Sequence, residues 1–102
     1  MTGPERLDFV LNTLRAHAED FQRLGVAHMA VFGSVARGEA TEESDVDLVV
    51  DIASEAHVTL FDLMDIQDIG TTLVGTSVDV ITSRGMRPSM AADVNKEAVR
   101  VF

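Results

Sequence analysis

The chain has 102 residues, 17 acidic side chains against 8 basic ones, and no cysteine, for a formal net charge of −9. That length predicts a single domain over residues 1–102 with one core, and the lack of cysteine excludes a disulfide framework and thiol nucleophiles, leaving histidine and carboxylates for any metal site. The hydrophobic fraction of 46% is that of a globular chain, no apolar run approaches the ~18 residues of a membrane span, and Met1–Arg6 does not open a signal-peptide core; a cytoplasmic domain with no membrane partner is expected.

The N-terminal segment Thr2-Gly-Pro-Glu5 has the marks of a helix start: threonine as N-cap, glutamate three residues on, proline in the first turn. Leu7, Val10, Leu11, Leu14, Ala18 and Phe21 then recur at helical spacing, with Gly25 as the closing cap. Val26–Phe32 is a short apolar run between glycines and predicts a strand; Gly33–Ser44 predicts a turn, one helical turn and a loop. Asp45–Asp51 predicts a second strand, Thr59–Val74 a helix ending at Gly75 despite Gly70 in its interior, and Ser77–Thr82 a third strand. Pro88–Phe102 predicts a terminal helix, in one or two pieces. The fold class that follows is α/β (α+β), a small mixed sheet of three strands, or four, with helices packed on it. Phe9, Phe21, Phe32, Phe61 and Phe102 are expected in the core, and Met29, Met64, Met86 and Met90 in the core or against a partner.

The charge is concentrated. Met1–Gly38 carries four acids and four bases, Glu39–Ser83 carries eleven acids and neither lysine nor arginine, and Arg84–Phe102 carries two acids and four bases. Such a stretch repels a phosphate backbone and argues against direct nucleic-acid binding. It attracts divalent cations or a basic protein surface.

Within that stretch Asp45 and Asp47 stand two residues apart at the start of a strand, where period-two alternation puts both carboxylates on one face, about 6.6 Å apart along the backbone. Two solvated acids capping a strand would have the same spacing as a hard-oxygen site for Mg²⁺ beside substrate phosphates. If the strand bearing Asp79 pairs beside theirs, three carboxylates share a face, and their mutual repulsion favours cations between them. Gly33-Ser34 directly follows a strand; it is either a plain strand-to-helix turn or a place where a phosphate approaches backbone N–H groups and the Ser34 hydroxyl. His17 and His28 read as structural or surface residues, and His57 is assigned no role.

Taken together, Gly33-Ser34, ten intervening residues, then Asp45-x-Asp47, in the block Gly-Ser-Val-Ala-Arg-Gly-Glu-Ala-Thr-Glu-Glu-Ser-Asp-Val-Asp-Leu, resemble the minimal nucleotidyltransferases of the DNA polymerase β-like superfamily. Val78-Asp79-Val80 resembles that family's third-acid strand, and Asn95–Val99 its terminal helix. The resemblance implies attack of a hydroxyl on the α-phosphate of a nucleoside triphosphate, with ATP as substrate and Mg²⁺ as cofactor. It implies that Gly33, Ser34 and Arg37 bind the nucleotide, that Asp45, Asp47 and Asp79 ligate the metal and form the catalytic set, and that Asp79 accepts the proton. It further implies an antitoxin paired with a HEPN-domain toxin in a hetero-oligomer, silencing it by transfer of AMP to a tyrosine. Two alternatives stand beside it: a non-catalytic acidic antitoxin that masks a basic ribonuclease by binding, and nucleotide transfer to a small-molecule acceptor.

Overall fold

The structure is a computed structural model and describes residues 2–41 and 43–102; Met1, and Glu42 within the motif block, lie outside the described residues. Ten elements follow one another: α1 (Gly3–Ala16), α2 (Ala18–Arg23), β1 (Val26–Phe32), α3 (Gly33–Ala36), β2 (Val46–Ile52), α4 (Leu60–Val74), β3 (Val78–Thr82), a 3₁₀ turn (Ser83–Gly85), α5 (Pro88–Glu97) and β4 (Val99–Arg100). The four strands form one sheet in the order β3-β2-β1-β4. β1 runs antiparallel to β2 and β4, while β2 and β3 are parallel and joined through α4. A parallel pair needs a crossover of a dozen or more residues, which α4 supplies.

Alternation along the strands divides the sheet into two faces. Val46, Leu48 and Val50 of β2, Met29 and Val31 of β1, and Val78 of β3 are buried in one cluster with Val10, Leu11 and Leu14 of α1, Phe21 of α2 and Ile66 of α4. Each such side chain contributes about 1.5–3 kcal/mol by leaving water. Gly70 allows α4 to lie close on the sheet: a β-carbon there would sit 3.3 Å from Val78 Cγ1. The opposite face presents His28 and Phe32, then Asp47 and Asp51, then Asp79, all half-buried or exposed.

The helix ends follow local chemistry. Thr2 caps α1 by accepting from the Glu5 N–H, and Thr59 and Asp62 form a reciprocal capping box on α4, which closes at Gly75 in the left-handed region. Arg6, only 4% exposed, reaches from α1 to the last turn of α4, donating to Thr76 Oγ1 at 2.7 Å and to the Val74 carbonyl at 3.4 Å. Its guanidinium carbon lies 5.6 Å from the centre of the Phe9 ring. The cation thus meets the electronegative end of α4 in place of a carboxylate.

Three expectations are corrected. The first predicted helix divides at His17, whose Nδ1 lies 3.1 Å from Asp20 Oδ2 and whose backbone leaves helical geometry. The predicted terminal helix stops at Glu97, and Val99–Arg100 instead pairs with β1 as a fourth strand, the outcome that β-branched residues and an otherwise bare sheet edge favour. Phe61 is not a core residue, and Met64, expected in the core or against a partner, is outside the core. The buried stripe of α4 runs through Ile66, Gly70 and Val74, leaving Phe61 77% and Met64 53% exposed. Phe9 and Met90 are also exposed.

Candidate active site

β1 ends at Phe32, whose neighbour across the antiparallel pair is Asp47. The chain must there leave the sheet beside an incoming strand, and it does so at Gly33 with φ +74°, a region that costs other residues about 1–2 kcal/mol. An L-residue at this position would place its β-carbon 2.5 Å from Asp47 Oδ2. Gly33 and the Asp47 carboxylate therefore share one small space. Ser34 follows half-buried, and its hydroxyl has no protein partner among the described residues.

On the other side of β2, Asp47 is in register with Asp79 of β3. The condition set by the sequence, that the two strands pair, is met, and both side chains lie on the open face. Asp45, exposed, immediately precedes β2 at the same edge. Burial pushes the Asp47 carboxyl above the ordinary carboxylate range, and the neighbouring Asp79 and Asp45 push it the same way, while Arg37 opposes them. Gly33, Ser34, Asp45, Asp47 and Asp79 thus come together at one end of the sheet.

Arg37 is drawn in a different direction. Its Nε donates to Glu39 Oε2 at 3.1 Å and its Nη1 to Glu97 Oε2 at 3.0 Å, so it ties the end of α3 to the end of α5, and these carboxylates hold its proton more firmly still. Among the described residues no group of three histidine or carboxylate side chains closes into a metal cage. The donor set nevertheless fits a cation that arrives with its substrate. Mg²⁺ is held by one or two carboxylates plus phosphate oxygens rather than by a complete protein shell, and Asp47 is a half-buried carboxylate crowded by like charge with no ion-pair partner among the described residues.

The same open face carries further polar residues below Asp47. Period-two alternation from Asp47 leads through Val49 to Asp51, so Asp51 was reachable from spacing alone. Arg100 was not, because its position depends on β4.

A mixed sheet in which a Gly-Ser turn leaves one strand beside an Asp-x-Asp entering the next is a nucleotidyltransferase-like arrangement. The chain belongs to the nucleotidyltransferase domain family, which it matches over residues 14–101. It is 34% identical over 96 residues to the protein adenylyltransferase MntA of Thermococcus cleftensis, covering 93% of this chain and 95% of that one. Among solved structures, one described as a minimal nucleotidyltransferase is 40% identical, with a TM-score of 0.70 over 87% of this chain and 93% of that chain. The fold is shared as well by an MNT antitoxin solved with a tri-AMPylated HEPN toxin of Shewanella oneidensis, at 10% identity and a TM-score of 0.64, over 90% of this chain and 71% of that chain.

Proposed function

We propose that this chain transfers AMP from ATP to a tyrosine hydroxyl of a HEPN-domain toxin and thereby acts as its antitoxin, with Asp45, Asp47 and Asp79 as the catalytic and metal-ligating set. The observation that carries this reading is the register of Asp47 with Asp79 on the open face, beside the close approach of Gly33. The name of the Thermococcus relative and the AMPylated toxin found with the Shewanella structure support the same chemistry and the same class of partner.

The residues divide the work as follows. Gly33 lets the triphosphate approach the backbone without a β-carbon in the way, and Ser34 offers a hydroxyl donor. Mg²⁺, held by Asp45, Asp47 and Asp79 together with phosphate oxygens, would supply positive charge to neutralise the triphosphate. Asp79, the outermost of the three on β3, accepts the proton of the attacking hydroxyl. An oxygen–phosphorus bond forms from the tyrosine to the α-phosphorus, the bond to the bridging oxygen breaks, and pyrophosphate leaves. Arg37 adds positive charge near the phosphates once Glu39 and Glu97 release it. Catalysis here is positioning and charge neutralisation, as in phosphoryl transfer generally.

Incubation with ATP labelled at the α-phosphate, Mg²⁺ and the cognate HEPN protein tests the reading. Label on the toxin, lost with Asp45→Ala together with protection of cells, is the expected result. An unlabelled toxin that Asp45→Ala still neutralises would mean that binding alone silences it.

A further inference from the structure

α4 has a second stripe, turned away from the sheet. Ile66, Gly70 and Val74 form its buried side, whereas Phe61, Met64, Asp65 and Asp68, at i, i+3, i+4 and i+7, fall together on the outward one. Phe61 is 77% exposed, Met64 53% and the adjoining Leu60 71%. Single exposed apolar residues are ordinary, but three together at the start of one helix form a patch of the kind that marks contact with another protein. The stripe then turns acidic: Asp65 and Asp68 are exposed and have no cation partner among the described residues. At its far end Asp68 and Thr72 border a hollow of about 390 Å³ between α4 and the junction of α1 with α2. Ile69 and Leu73, packed against the core, give that hollow an apolar floor, and His17 and Asp20 complete its lining. Arg23 Nη1 lies 3.6 Å from Asp20 Oδ1, a contact between exposed groups that contributes little.

We infer that this outer face of α4 is a docking surface for a basic amphipathic helix of the partner protein. Apolar side chains of that helix cover Phe61 and Met64, and a lysine or arginine about two turns further along enters the hollow beside Asp68. The inference rests on the antitoxin reading for the identity of the partner and adds to it the surface by which the partner is held. Spacing sets the match: Phe61 and Asp68 are seven residues apart, about 10 Å along α4, which is one heptad between anchors on an opposing helix. The hollow suits a long cationic side chain, because Ile69 and Leu73 accept its aliphatic stem while the Asp68 carboxylate meets its charged head. Charge selects the occupant. From Glu39 to Ser83 the chain has eleven acids and neither lysine nor arginine, so a second copy would set acids of this run against one another, and a basic segment is the complement. The face is also placed for the proposed chemistry. α4 packs on β3 through Gly70 and Val78, and β3 is an edge of the sheet, so a protein seated on α4 passes only one strand to bring a hydroxyl to Asp79.

The test is biolayer interferometry of the full chain against the immobilised cognate HEPN protein, without nucleotide, so that AMP transfer adds nothing to the signal. Phe61→Gln with Met64→Gln is expected to weaken binding by about tenfold or more, as loss of an aromatic anchor does. Asp65→Asn with Asp68→Asn is expected to slow association by about tenfold at low salt and to flatten its dependence on ionic strength. Glu43→Gln with Asp93→Asn removes two exposed acids elsewhere and should change association far less. All four replaced α4 side chains are exposed, and circular dichroism verifies that the variants keep the fold. Wild-type affinity in the Phe61 and Met64 variant overturns the docking surface while leaving the antitoxin reading intact. An effect of the Glu43 and Asp93 pair equal to that of the α4 pair assigns the steering to net charge and overturns the basic helix as occupant. Self-association of the chain alone that Phe61→Gln with Met64→Gln abolishes puts a second copy on the face and overturns it too. A wild-type chain that does not bind the HEPN protein overturns the antitoxin reading itself, and the occupant with it.

Discussion

Gly33 is where backbone conformation and the proposed chemistry meet, and Gly33→Ala separates the two. At φ +74° the substitution strains the backbone by about 1–2 kcal/mol, partly offset by about 0.4–1 kcal/mol from a stiffer unfolded chain. The net of about 1 kcal/mol lowers Tm by about 4–8 °C for a domain of this size. The larger consequence is steric. The new β-carbon would lie 2.5 Å from Asp47 Oδ2, where ordinary contact begins at 3.4 Å, so the carboxylate must retreat by nearly 1 Å. A displacement of that size at a reacting centre is worth about 10²-fold in rate.

Gly75→Ala provides the control. Gly75 has φ +82° and caps α4, but a β-carbon there meets nothing within 4 Å. Both variants should lose comparable thermal stability, read by differential scanning calorimetry. Only Gly33→Ala should lose about 100-fold in AMP transfer and a comparable part of its affinity for Mg²⁺-nucleotide. Equal transfer rates in the two variants would refute the argument that Gly33 sets the position of Asp47.

Two further outcomes follow from buried charge. Asp47→Asn should raise Tm at neutral pH, because burial and the adjacent Asp79 and Asp45 disfavour the ionised carboxyl; removing a like charge beside another on a sheet is worth about 0.2–1 kcal/mol, or roughly 1–8 °C. Since the folded-state pKa is raised, the native chain holds this proton to higher pH than the unfolded one. The wild type therefore loses stability as pH climbs from the ordinary carboxylate value of 3.8 through the raised folded value. The gap between variant and wild type should be small in acid and open across that window, and a gap that does not change with pH contradicts the assigned cause. Arg6→Met should destabilise by about 1–3 kcal/mol in urea titration, since it strips a charged donor from Thr76 and from the last carbonyls of α4; the partnerless Nε of Arg6 limits the loss, and a variant as stable as the wild type would show that the bridge from α1 to α4 contributes nothing.

How much of this was legible in the sequence depends on whether the signal was local. Caps and periods were: Thr2, Thr59 and Gly75 mark ends that the structure places within a residue or two, and Val26–Phe32 matches β1. The meeting of Asp47 with Asp79 was legible only conditionally, because strand pairing is a property of the whole sheet, and the condition was met once α4 joined β2 to β3 in parallel. Three features were hidden for physical reasons. Gly70 looked like a flaw in a helix, yet it is the point of closest packing on Val78. Val99–Arg100 looked helical because five residues of apolar pattern cannot report a neighbouring bare strand. Arg37 was assigned to the nucleotide through the family resemblance alone, and its ties to Glu39 and Glu97, the latter sixty residues away, could not be read from spacing.

The acids between Glu39 and Ser83 form one run in sequence, yet among the described residues they stand on both sides of the sheet. Asp45, Asp47 and Asp79 stand on the open face of the sheet. Asp65 and Asp68 are exposed on α4, whose Gly70 packs on Val78, and Val78 points to the opposite face from its neighbour Asp79. The whole thickness of the sheet lies between the two groups. Charge that would bind a cation at the site and charge that would meet a basic partner can therefore change independently. A single net charge of −9 thus describes neither surface: the first is drawn tight against Gly33 and β3 by register, the second is spread over a helix and open to whatever approaches it.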